Sequence, residues 1–60
     1  MPTMHFEGSH PNGDEAARIA KQKMTVWFGE RPERAIVSES APEMIPGKEG
    51  VTARIDVTYT

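Results

Sequence analysis

The stretch VTARIDVTYT, residues 51–60, decides the fold. Val51, Ala53, Ile55, Val57 and Tyr59 alternate with Thr52, Arg54, Asp56, Thr58 and Thr60. A period of two places the apolar set on one face and the polar set on the other, as in a strand with one face buried and one face wet. Such a strand needs an apolar partner surface, and the rest of the chain must supply it.

Upstream, Pro46-Gly-Lys-Glu-Gly50 is a turn. Before it, RAIVSESA (residues 34–41) reads as a strand, with Pro42 and Pro46 limiting how far it can pair at a central position. Met44 and Ile45 continue this strand past an irregularity. Because the two strands are adjacent in sequence and joined by a short connection, they are expected to form an antiparallel hairpin.

DEAARIAKQKMTVWF, residues 14–28, favours helix. Ala16, Ile19, Ala20, Lys23 or Met24, and Trp27 with Phe28 recur at spacings of three and four, while Arg18, Lys21 and Gln22 face water. Asn12 or Asp14 is the expected N-cap, acidic residues occupy the first turn, and Gly29 is the expected residue just beyond the helix, with Pro32 following. Thr3 to Glu7 alternates with Met4 and Phe6 on one face, a short first strand ended by the turn formers of GSHPNGDE, residues 8–15. The expected fold is therefore α+β, in the order β-α-β-β. A three-stranded antiparallel sheet packs on one helix in a single domain, residues 1–60.

The core must be thin. A chain of 60 residues buries only about 60% of the surface its unfolded form exposes. It has no leucine, and six of its 22 apolar residues are alanine. No cysteine is present, so no disulfide can reinforce the fold and no thiolate can hold zinc. Self-association into a homo-oligomer is the remaining common device. Seven basic residues against nine acidic ones, scattered along the chain, give a net charge of −2 and no electrostatic footprint for nucleic acid. No apolar run reaches the roughly 18–20 residues of a membrane span, and a soluble, cytoplasmic protein without a membrane partner is expected.

Four groups of residues invite a chemical reading. His5, Glu7 and His10 are metal-ligating types, but a turn separates His10 from the other two and no metal centre is expected. Glu39 and Glu43 fit solvated carboxylates better than an acid–base pair. Trp27 and Phe28 are either an aromatic platform or, at the end of a helical stripe, part of the core. Pro2 would become a secondary amine if Met1 were removed, able to act as base or nucleophile at lowered pKa. GERPERAIVSE, residues 29–39, is similar to the helix-to-strand junction of the 4-oxalocrotonate tautomerases, which use such a proline. That resemblance implies a tautomerase-like enzyme as the alternative function.

GSHPNGDEAA (residues 8–17), the single helix, and VSESAPEMIPGK (residues 37–48) before an alternating final strand together resemble the dodecins. Gly8, Pro11, Glu39, Gly47 and Lys48 match that pattern, and the likeness covers roughly residues 4 to 60. It implies a hollow homo-dodecamer, non-enzymatic, that binds or stores a flavin such as FMN, FAD or riboflavin. Dodecins stack the flavin ring on a tryptophan and hydrogen-bond it with a glutamine. By interval from Glu39 the tryptophan position falls at Arg34, and the glutamine position at Thr52 or Ala53. Arg34 and Thr52 are thus the candidate ligand contacts. A guanidinium can itself stack on an aromatic ring. A structural or interaction protein without a small ligand is the third reading.

Overall fold

The computed structural model describes residues 1–60. Its elements are β1 (Thr3–His10), α1 (Gly13–Gly29), β2 (Ile36–Glu39), β3 (Glu43–Gly47) and β4 (Gly50–Tyr59). The fold is α+β, with one helix against a four-stranded antiparallel sheet. No helix is long and apolar enough to cross a membrane.

β4 is the central strand, and the alternation read in residues 51–60 is the reason. Ala53, Ile55 and Val57 are fully buried under the helix, while Thr52, Arg54, Asp56 and Thr58 line the other face of the sheet. β1 pairs antiparallel along one edge of β4, from Thr3 opposite Thr58 to His10 opposite Val51. On the other edge β3 pairs with Gly50–Arg54 and β2 with Val57–Tyr59. β2 and β3 thus succeed one another in a single lane, and there are four strands where the sequence suggested three. The break falls at Ser40-Ala41-Pro42. There the Ser40 hydroxyl accepts from the Asp56 N–H at 3.0 Å and the Ser40 N–H donates to the Asp56 carbonyl at 2.9 Å, so β4 keeps its hydrogen bonds across the gap.

The helix begins where its cap dictates. The Asn12 side-chain oxygen accepts from Asp14 N–H at 2.8 Å and Glu15 N–H at 3.4 Å, satisfying two donors of the first turn, and Asp14 and Glu15 add negative charge there. At the other end Gly29 is the last helical residue and Glu30, in right-handed geometry, is the cap. The left-handed glycine stop expected at Gly29 is not formed. Instead the chain leaves through a tight turn closed by Arg31 N–H to the Phe28 carbonyl and Arg34 N–H to the Arg31 carbonyl.

Ala16, Ala20 and Met24, each four residues on, form the buried stripe, and Lys23 stays exposed. The small alanines lie over Gly8, which lets helix and sheet approach closely at this end. Phe6, Met24, Trp27 and Phe28 fill the other end, where the stripe is bulky. Only Ile55 and Val57 are large side chains buried completely. The helix packs on β1 and β4 and leaves β2 and β3 uncovered, so every residue from Ile36 to Gly47 is exposed.

Candidate functional site

Four aromatic side chains converge at the end of the sheet where β4 finishes. Phe6 comes from β1, Trp27 and Phe28 from the last turns of α1, and Tyr59 from the end of β4. Trp27 meets Phe28 at 4.8 Å and Tyr59 at 5.3 Å between ring centres, and Phe28 meets Tyr59 at 5.7 Å, all edge to face. Such contacts lock ring orientation beyond what area burial alone would do. The two aromatics of α1 therefore pack against the core while remaining partly exposed.

Two guanidinium groups flank this cluster. Arg31 lies over the Trp27 ring at 4.2 Å and donates from Nη1 to the Trp27 carbonyl at 3.1 Å. Arg34, carried by the turn that follows, places its guanidinium 5.7 Å from the centre of the Tyr59 ring. The sequence points to Arg34 as a ligand contact and singles out neither Arg31 nor Tyr59 for one. Arg31 lies beyond the helix end, in the turn closed by its own N–H on the Phe28 carbonyl, and that turn brings its side chain back over Trp27.

Thr52 lies elsewhere. It faces the side of the sheet opposite the helix, its hydroxyl 2.9 Å from that of Ser9, and it borders a polar cleft of about 320 Å³ with His10, Gly47 and Glu49. The strand from Thr52 to Tyr59 is about 23 Å long at ~3.3 Å per residue. One chain thus does not bring Arg34 and Thr52 together. Ala53, the other candidate for the glutamine position, is fully buried beneath the helix and offers nothing to a ligand.

The remaining sequence candidates separate in the same way. His5 and Glu7 share the face away from the helix, Nε2 to Oε1 3.4 Å, whereas His10 accepts the Asn12 N–H on its Nδ1 at 3.0 Å. Glu39 stands opposite Val57 and Glu43 opposite Arg54, on different faces of the sheet. Pro2 is exposed, and its carbonyl accepts the Tyr59 N–H at 3.0 Å, which fixes it beside the aromatic end.

The uncovered β2–β3 lane is the other feature of the surface. Ile36, Val37, Met44 and Ile45 are between 41% and 50% exposed, in a molecule whose core holds only seven residues. A search of family models, of curated proteins and of solved structures finds no match to this chain.

Proposed function

We propose that the chain is a non-enzymatic, dodecin-like homo-oligomer that binds a planar aromatic molecule of the flavin class, with Arg34 and Thr52 among its contacts. The observation that carries this reading is the uncovered β2–β3 lane. Ile36 and Met44, on the helix side of the lane, and Ile45, on the other, are exposed apolar side chains on a 60-residue chain, and neighbouring subunits packed on the lane would remove them from water.

The separation of Arg34 from Thr52 accords with a ligand held between subunits. A planar ring lying on the Arg34 guanidinium of one chain would take a hydrogen bond from Thr52 of another. Arg34 has the chemistry for this role: it is planar, permanently charged and already beside an aromatic face.

Light scattering followed by flavin titration tests both parts. Twelve chains of 6.7 kDa would give a mass of about 80 kDa. Quenching of flavin fluorescence on adding the protein is the expected second result. A monomer in solution removes the assembly, and unchanged flavin fluorescence removes the ligand.

A further inference from the structure

The two open edges of the sheet are unequal. β2 and β3 are short, the register slips between Ile36 and Ser38, and Pro46 interrupts β3. The Asp56 backbone bonds to Ser40, so the even-numbered residues of β4 point their polar groups at this lane. Ile45 opposite Thr52 then bonds inward, and Pro46, with no N–H to give, occupies the open side. Bulges and proline are devices that protect an edge from further pairing.

β1 has neither a bulge nor a proline, and the charged group at its edge is the Lys23 ammonium. It pairs without a break from Thr3 to His10. Because the Tyr59 N–H reaches the Pro2 carbonyl, the alternation of the ladder directs the N–H and C=O groups of Thr3, His5, Glu7 and Ser9 to the open edge. One contact there agrees with this assignment: Lys23 Nζ donates to the Glu7 carbonyl at 2.9 Å. That oxygen retains a second lone pair.

We propose that two copies of the chain join β1 to β1, antiparallel, about a two-fold axis beside Phe6. In this register His5 of each copy lies opposite Glu7 of the other, and Thr3 opposite Ser9. Each of these pairs exchanges both backbone hydrogen bonds, and all four residues of the strand whose N–H and C=O groups face outward are used. Sliding the pair by two residues either way sets His5 against His5 or Glu7 against Glu7 and leaves three of the four hydrogen-bonded pairings. Charge and the number of pairings both select the Phe6-centred register.

The helices fit the same arrangement. α1 lies over β1 and β4, so strands paired at about 4.8 Å place the two helix axes roughly 10 Å apart, near the usual helix-packing distance. The side of α1 that meets its mate is marked by Lys23, which overhangs the open edge. There Ile19, Val26 and Trp27 line a shallow groove of about 430 Å³ beside Lys23 and Glu30, and Val26 is 53% exposed. Two such grooves face each other across the axis. The result is one continuous sheet with two helices side by side, and both β2–β3 lanes left outermost for further contacts.

This deepens the self-association part of the reading above, and its test separates the two. The chain has no cysteine, so a Thr3→Cys/Ser9→Cys variant carries only the two introduced thiols. Within one strand these lie about 20 Å apart, too far for an internal disulfide. Across the proposed pair their Cα atoms are about 5.5 Å apart, within bridging range. Mild oxidation is expected to double the mass on a non-reducing gel and to stop there. A chain that stays monomeric, or a ladder of larger species, overturns the proposal. Glu7→Pro is the second variant: it deletes an N–H that the chain itself does not use, and light scattering should show a loss of mass with the circular dichroism kept. A wild-type oligomer whose cysteine variant fails to cross-link would leave self-association standing and place it on the β2–β3 lane. A wild-type monomer at every concentration would remove both.

Discussion

Gly8 lies against Ala16 so closely that a Cβ on the glycine would stand 2.5 Å from the Ala16 carbonyl oxygen and 2.7 Å from the Ile19 Cβ. The obstacle is helix backbone, which cannot step aside as a flexible side-chain tip would. Gly8→Ala is therefore expected to prise the helix from the sheet and to cost about 3 kcal/mol, the upper part of the overpacking range. At about 4–8 °C per kcal/mol in a domain of this size, melting by circular dichroism will show the change. Gly47→Ala, where the nearest atom is at an ordinary 3.5 Å, is the control and should melt close to wild type.

The Asn12 cap gives a smaller effect with a clear chemical signature. Asn12→Ala frees the Asp14 and Glu15 N–H groups and should cost about 1 kcal/mol. Asn12→Asp keeps the acceptor and should restore most of the loss. Urea titrations of the three proteins decide between a cap and a mere turn residue, since only a cap distinguishes alanine from aspartate in this order.

Ile55 tests how little core there is. It is 1% exposed and is one of two large side chains buried completely. Ile55→Ala should cost about 2–5 kcal/mol, comparable with the whole stability a small core supplies. The expected outcome is a chain largely unfolded at room temperature when dilute. Ile55→Val, losing one methylene, should remain folded with a lowered midpoint.

The two arginines beside the aromatic end should separate stability from binding. Arg31 covers the Trp27 ring and caps its carbonyl, so Arg31→Ala should lower stability by about 1 kcal/mol. Arg34 is exposed, and its guanidinium lies 5.7 Å from the centre of the Tyr59 ring. Arg34→Ala should leave the melting temperature nearly unchanged and, on the flavin reading, weaken flavin binding roughly tenfold, the size of a lost cation–ring contact. Equal flavin affinity in the two proteins would take Arg34 out of the site.

Much of this architecture was legible because its signals were local. The alternation of residues 51–60, the three-and-four spacing from Ala16 to Phe28 and the cap at Asn12 each depend on neighbours in sequence. β1 was read too short because Gly8 and Ser9 look like turn residues, whereas Gly8 sits in the strand to admit the helix. The irregularity expected before Met44 is a full break into two strands, because Ser40 bonds across to Asp56, a long-range contact that Pro42 alone does not reveal. Arg34 follows only from a family interval, and the ring it lies near is the chain's own Tyr59. The distance of Arg34 from Thr52 depends on which end of β4 each occupies, a long-range fact that pairing alone supplies.

The division of one lane into β2 and β3 also sets the rates at which the molecule opens. Each piece is held to β4 by a few residue pairs and lies outside the main helix–sheet packing, so either can lift away while β1, α1 and β4 stay closed. Amide exchange should accordingly fall into two classes. The N–H groups of β2 and β3, with those of β4 that face them, exchange through local opening. Those of β4 that face β1 exchange only when the whole chain unfolds, so the two edges of a single strand would report two different free energies.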